Sequence, residues 1–266
     1  MIDPTAKIHA TAIIEEGAIL KKNVSVGPYC IIGSKVVLEE NVTLKSHINI
    51  NGDTVVGKGT IIYPFASLGE DPQDLKFEGE DSKTIIGENC KIREYVTIQK
   101  GTHGGNMLTT VGNNCLLMVG VHIAHDCIVG NNVVMANYVS LGGHVTVEDN
   151  AILGGLSAVQ QFTRIGKGAM IGGMCGIGKD VIPYGTTMNE RAHLAGLNLI
   201  GLKRKGFSNK DILDLQEKFK AVFESSDDDF KTLIENHLSQ SDNPLVQELK
   251  AFLCADSKRR FCMPRK

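Results

Sequence analysis

Apolar residues recur along this chain at every sixth position. From Ile8 they run through Ile14, Leu20, Val26, Ile32, Leu38, Leu44, Ile50, Val56, Ile62 and Leu68 in strict phase. A second run from Val111 keeps the same step through Leu117, Ile123, Val129, Met135, Leu141, Val147, Leu153, Val159, Ile165, Ile171 and Ile177. Four residues after each of these stands a small or β-branched one, among them Cys115, Cys127, Val139, Ala151, Ser157 and Cys175. Period six fits neither a helix, which repeats at about 3.6, nor a half-buried strand, which repeats at about two. It marks a β-solenoid, in which flat coils stack on one another.

The pattern lapses twice. Between Gly69 and Ser82 a polar stretch carries Gln73-Asp74-Leu75-Lys76, and the hexads resume in frame at Ile86, Ile92 and Ile98. The second lapse, Lys100–Thr110, holds Gly101-Thr102-His103-Gly104-Gly105 and shifts the frame by one. Such lapses predict loops thrown out from the side of the stack, where function tends to sit. Gly104-Gly105 lacks the Lys and Ser/Thr of a phosphate-binding P-loop. From about Pro183 helical punctuation replaces the hexads. Ser208-Asn209-Lys210-Asp211 is a capping box ahead of Ile212, Leu215, Phe219, Val222 and Phe223 on one helical face. Asn243-Pro244 reads as an N-cap and first-turn proline before Leu245, Leu249, Phe252 and Leu253. Residues 1–190 are therefore expected to form the solenoid, with loops near 69–82 and 100–110, and residues 191–266 a small helical domain.

Composition narrows the class. No apolar run is long enough to span a membrane, and the N-terminal segment lacks the basic and apolar regions of a signal peptide, so a cytoplasmic protein is expected. The net charge of −2 gives no reason to expect nucleic-acid binding. The basic runs Lys203-Arg204-Lys205 and Lys258-Arg259-Arg260 are the local exceptions. Five of the seven cysteines (Cys30, Cys90, Cys115, Cys127, Cys175) fall on the small inward hexad position, where Cys is a compact apolar filler. No Cys-x-x-Cys pair suggests a metal, and reduced thiols agree with a cytoplasmic address.

Three hexads per coil would stack residues 18 apart at the strand spacing of about 4.8 Å. His125 then falls over Gly143, Gly143 over Gln161, and Asp126 over His144. With His122 three residues earlier, these six positions converge on one patch of the outer wall. Three of the chain's eight histidines meet there, which points to proton transfer near neutral pH. Gly143, having no side chain, lets a substrate approach a backbone N–H, as an oxyanion donor must. No serine is placed as a nucleophile and the hexad cysteines face the core, so direct transfer is expected.

These residues, with Gln73-Asp74-Leu75-Lys76, the run His122-Ile123-Ala124-His125-Asp126-Cys127, Gly142-Gly143-His144 and Gly201-Leu202-Lys203-Arg204-Lys205-Gly206-Phe207, closely resemble the UDP-N-acetylglucosamine O-acyltransferase family. That family begins lipid A synthesis in Gram-negative bacteria, and the resemblance runs over essentially the whole chain. It implies a mainly β fold: a left-handed parallel β-helix followed by a small α-helical C-terminal domain. It also implies a homotrimer with active sites between subunits and no cofactor or metal. The implied reaction moves a 3-hydroxyacyl chain from acyl carrier protein to the glucosamine 3-hydroxyl of UDP-N-acetylglucosamine. In that reading His125 is the general base and the Gly143 N–H stabilises the oxyanion. Asp126 supports an imidazole, His144 by the stacking and His125 by the family's account. The Gln73–Lys76 loop, through Asp74 and Lys76, works with His122, His144 and Gln161 to position sugar, diphosphate and acyl groups. Gly173 matches the position that limits acyl length, and Asn198 and Arg204 match residues near the uridine and phosphates or the carrier protein. Gln99, Gln160, Ile200 and Lys205 depart from the family's pattern, and a Lys cannot reproduce a bidentate Arg contact.

Three other readings compete with it. One is an N-acyltransferase on a UDP-3-amino sugar. Another is a trimeric β-helix zinc hydratase with His122, His125 and His144 as ligands. The last is a non-catalytic scaffold.

Overall fold

The structure is a computed structural model that describes residues 1–225 and 229–265. Its solenoid is wound from strands mostly two residues long, which pass in turn through three parallel sheets. The first sheet opens with Lys7–Ile8, the second with Ile13–Ile14 and the third with Ile19–Leu20. Lys7 pairs with Ser25, Ile13 with Ile31 and Ile19 with Val37, so one coil takes 18 residues. The result is a three-sided prism, as the hexads predict.

The sixth-position residues fill its interior. Leu20, Ile32, Leu38, Leu44, Ile50, Ile62, Leu68, Ile86, Ile92 and Ile98 are fully buried, each contributing about 1.5–3 kcal/mol over an exposed position. Cys30, Cys90, Cys115, Cys127 and Cys175 are buried free thiols at the small inward position. Burial pushes the Cys127 thiol up to about 12, which leaves it no nucleophilic role. Ile8, an inward position of the first coil, stays exposed because no coil covers it.

Most turns of the prism place one residue in the left-handed backbone region, and only a few of them, such as those at Gly17, Gly59, Gly120 and Gly168, use glycine there. Asn23, Asn41, Asn89, Asn114, Asn132 and Asn150 take the position between the third and first sheets. Asn suits the place because its short polar side chain tolerates that region. Between the first and second sheets the position is aromatic at Tyr29, His47, Phe65, Tyr95 and Tyr138, and Gly120, Leu156 and Met174 take it in other coils. Between the second and third sheets it is Asp126, His144 and Phe162.

Both loops leave the same edge of the prism, between the second and third sheets. One joins Ser67–Glu70 to Lys83–Ile86, the other Thr97–Gln99 to Leu108–Val111. We call this the loop edge, that between the first and second sheets the ladder edge, and that between the third and first the helix edge.

Past the hexads, Gly185–Met188 and His193–Leu197 form an antiparallel hairpin that extends the first sheet. It has no hexad signature, and helices begin only at α1 (Leu199–Arg204). They continue as α2 (Asn209–Phe223), α3 (Phe230–Leu238) and α4 (Pro244–Cys254). The expected caps are present. Ser208 accepts from the Asp211 N–H, Asn243 accepts from the Leu245 N–H, and Pro244 occupies the first turn. α4 is latched to the solenoid by Glu248, whose carboxylate meets Lys167 and Tyr184. Arg164 lies 4.3 Å over the Phe252 ring and 2.7 Å from Asp180 Oδ2. No helix among the described residues is long and apolar enough to cross a membrane.

Candidate active site

The loop edge gathers the chemistry. His125 and Asp126 sit in the turn between His122–Ile123 and Ile128–Val129, and Gly143 and His144 in the turn one coil further on. Asp126 takes the left-handed position of its turn (φ 58°), which swings its carboxylate back toward its own neighbour. His125 Nδ1 lies 2.9 Å from Asp126 Oδ2. An ionised carboxylate can only accept, so Nδ1 carries the proton and Nε2 keeps a free lone pair. The two supports left open by the sequence are thereby separated: Asp126 bonds the imidazole of His125. His144 instead stands edge-on to His125 at 5.0 Å and stacks on Phe162 at 4.4 Å.

Gly143 is where this packing requires a glycine. A Cβ there would lie 2.5 Å from both Cε1 and Nε2 of His125, which backbone and ring cannot absorb. The Gly143 N–H has no hydrogen-bond partner among the described residues. The His125 imidazole thus lies beside a residue whose backbone donor is free.

The loops roof the pair. The sequence places His125 on an outer wall, yet it is only 5% exposed and Asp126 only 3%. Its ring has not turned into the core, which Ile123 and Cys127 fill on either side of it. Asp74, from the first loop, brings Oδ2 to 3.9 Å from His125 Nε2. The second loop supplies Thr102, whose hydroxyl is 2.6 Å from Asp126 Oδ2, and the Asn106 N–H, 3.0 Å from Oδ1. Burial works to raise the Asp126 carboxyl. Hydrogen bonds from Thr102 and His125 outweigh it and hold the group below its ordinary value. Burial lowers His144, and His122 as well, where the neighbouring His125 imidazole works in the same direction. Both rings therefore favour the neutral form.

The remaining predicted residues fall into separate places. Gln73 and Lys76 lie exposed on the first loop, and Lys76 lines a 320 Å³ cavity with Asp74, Glu80 and Thr102. Gln161 is exposed one coil beyond Gly143, its carbonyl accepting from Arg259 at 3.0 Å. His122 lies on the face of the second sheet, bonded through Nδ1 to Thr97 Oγ1 at 2.7 Å. Gly173 is in a turn of the ladder edge, between Met170–Ile171 and Gly176–Ile177. Asn198 and Arg204 line a 650 Å³ cavity with Gly168, Tyr184 and Lys205, where Asn198 caps α1 and donates to the Gly168 carbonyl on the helix edge. Within one chain, then, Gly173, Asn198 and Arg204 do not join His125.

The ligand set of the zinc reading is not what the structure assembles. Donor atoms of His125, Asp126 and His144 lie within 4.8 Å of one another, without His122. Both Asp126 oxygens already receive protein donors, so a metal would have to displace them.

Sequence reasoning missed Thr102, Asn106 and Gly105, whose Cβ would meet the Asp126 carboxylate at 2.2 Å. It also missed the C-terminal tail, which returns to this edge and sets Lys258 4.3 Å over the Phe162 ring. One available signal was overlooked. Leu68, Ile98 and Ile123 occupy the same column of hexads, so counting by coils stacks both loops directly beside His125.

Residues 180–262 match the family model described as UDP N-acetylglucosamine O-acyltransferase, domain 2, and residues 108–143 match the bacterial transferase hexapeptide model. The acyl-[acyl-carrier-protein]–UDP-N-acetylglucosamine O-acyltransferase of Rickettsia canadensis is 54% identical over 97% of both chains. The structure of the UDP-N-acetylglucosamine O-acyltransferase of Moraxella catarrhalis is 40% identical, with a TM-score of 0.92 over 96% of this chain and 99% of that one. The Campylobacter jejuni UDP-N-acetylglucosamine acyltransferase gives 34% identity and a TM-score of 0.91 over 97% of this chain and 100% of that one.

Proposed function

The chain belongs to the UDP-N-acetylglucosamine O-acyltransferase family, and from that premise we propose how its own residues carry out the transfer. It is an acyltransferase that uses an acyl-[acyl-carrier-protein] and UDP-N-acetylglucosamine, at the first step of lipid A synthesis. The sugar 3-hydroxyl lies between Asp74 and His125 Nε2. Nε2 takes its proton as the oxygen attacks the thioester carbonyl of a 3-hydroxyacyl donor. Asp126 holds the opposite ring nitrogen and stabilises the imidazolium that forms. The free Gly143 N–H donates to the developing oxyanion. When the tetrahedral species collapses, the carbon–sulfur bond breaks and His125 returns its proton to the leaving thiolate. Gln73, Lys76, His122, His144 and Gln161 position the substrates around this pair.

One observation carries the reading: the 2.9 Å His125–Asp126 bond beside a glycine that offers both space and an unpaired N–H. The test is His125→Ala assayed by mass spectrometry of the acylated nucleotide sugar. A drop of about 10²–10⁴ in kcat, the usual contribution of a positioned base, is expected. Turnover near wild type would remove His125 from this role.

We further propose a homotrimer whose sites lie between neighbours. Gly173 as acyl stop, and Asn198 and Arg204 as nucleotide contacts, sit on the two edges that a single chain holds away from His125. An acyl chain or nucleotide reaching from His125 would meet them on an adjoining subunit. Co-expression of His125→Ala with Arg204→Ala chains should restore activity that neither variant shows alone, and no recovery in mixed trimers would argue against shared sites. A cytoplasmic address fits the buried free thiols.

A further inference from the structure

We propose that Thr102 is a positioning residue for the transfer, clamping the Asp126 carboxylate so that Asp126 in turn fixes His125 with Nε2 bare toward the substrate. The inference rests on the reading of His125 as the base. Thr102 approaches Asp126 through two donors. Its hydroxyl lies 2.6 Å from Oδ2, and its backbone N–H is shared between Oδ1 at 3.2 Å and Oδ2 at 3.1 Å. The Asn106 N–H holds Oδ1 at 3.0 Å, and Gly105 lies so close to the carboxylate that a side chain would expel it. The Asp126 N–H is pinned by Thr109 Oγ1 at 2.8 Å. Among the described residues the solenoid supplies only His125 Nδ1 to this carboxylate, and every other donor comes from the second loop.

The clamp is also tied to the loop that bears Asp74. Ser82 donates through Oγ to the Gly101 carbonyl at 2.6 Å, and the buried Glu80 accepts the His103 N–H at 3.1 Å. Thr102 is thus the last link between the substrate-facing loop and the base. A carboxylate that takes four donors stays ionised and does not compete for the imidazole proton. Of the other titratable groups around the pair, His144 from the next coil acts on Asp126, while Asp74 from the first loop and His122 from the adjoining strand face His125. Lys258 of the tail acts on His144 in turn. The lowered Asp126 carboxyl, with the Thr102 hydroxyl leading the hydrogen bonds that offset its burial, agrees with this geometry.

Thr102→Val keeps the shape and removes the hydroxyl, whereas Thr102→Ser keeps the hydroxyl. With the full-length enzyme, Thr102→Val should lower kcat about tenfold, the scale of a lost bond to a charged group. KM for UDP-N-acetylglucosamine should hold, and the acid limb of the kcat profile should move to higher pH as Asp126 protonates more readily. Thr102→Ser should recover most of kcat and the original limb. Wild-type kcat and acid limb in Thr102→Val would overturn the clamp, as would a Ser variant as impaired as the Val one or an effect confined to KM. Retained turnover in His125→Ala would overturn base and clamp together. An inactive His125→Ala beside a normal Thr102→Val would overturn the clamp alone.

Discussion

Two edges of the prism carry columns of rings in successive turns, and only one of them has the makings of a catalyst. On the ladder edge Tyr29, His47, Phe65 and Tyr95 stack at 4.9, 5.1 and 5.1 Å, with Tyr29, Phe65 and Tyr95 about half exposed. On the loop edge His125 meets His144 edge-on at 5.0 Å, and His144 stacks on Phe162 at 4.4 Å. Coil geometry alone therefore creates a column of rings, and a histidine in such a column is not yet a site. His47 has aromatic neighbours on both sides and, among the described residues, no carboxylate bonded to its ring. His125 has Asp126 on one nitrogen, bare Gly143 beneath the other, and two loops that exclude water from both. What separates the two edges is the roof, which strengthens every electrostatic contact below it.

The largest expected effect sharpens this contrast directly. His125→Ala should cost about 10²–10⁴ in kcat while His47→Ala leaves turnover at wild type; a comparable loss from both would mean the columns matter only as structure. Next comes Gly143→Ala. Its methyl group would drive into the His125 ring, and displacing a base by such a distance costs about 10² in kcat. A normal rate with normal thermal stability would show that the ring has room to spare.

A third prediction concerns acid stability. Burial lowers His144 below the ordinary histidine value of 6.5, so below that value the unfolded chain binds more protons than the native one. Stability should therefore be full above it and fall as the pH drops toward the folded-state value. His144→Phe, which preserves the stack on Phe162, should flatten that part of the Tm profile. An unchanged slope would locate the sensitivity elsewhere, with His122 as the first alternative. The smallest effect belongs to the ladder. His47→Ala should change stability by only about 0.5 kcal/mol, as surface substitutions usually do, when followed by urea unfolding.

The solenoid was almost fully legible in the chain because its signal is periodic, and a period survives local irregularity. α2 and α4 were legible through their caps. The hairpin at Gly185–Met188 and His193–Leu197 was not, since it joins an existing sheet edge and needs no repeat of its own. α1 and α3 have caps too, Asn198 and Asp229, but their apolar patterns are too short to announce a helix. At the site, stacking by 18 brought His125 to Gly143 correctly and misled over Asp126. The stacking rule follows the backbone, whereas the left-handed turn at Asp126 directs the carboxylate along its own coil. Thr102 was invisible for a different reason: a loop outside the repeat carries no positional grammar, and its partner was fixed only by folding.

The 18-residue coil gives the stack a translational symmetry along its axis, broken on the loop edge where the two insertions enter. Upstream of Ile50 the strands of each coil pair only with neighbouring coils, and the Lys35–Asp81 ion pair is the contact that reaches from there to the first loop. Excising one whole turn ahead of Ser25 would bring the open end nearer by about one strand spacing and leave the contacts of the loop edge in place. Length is thus a modular variable in this architecture, adjustable in whole coils as far as the one whose Lys35 holds Asp81 of the first loop.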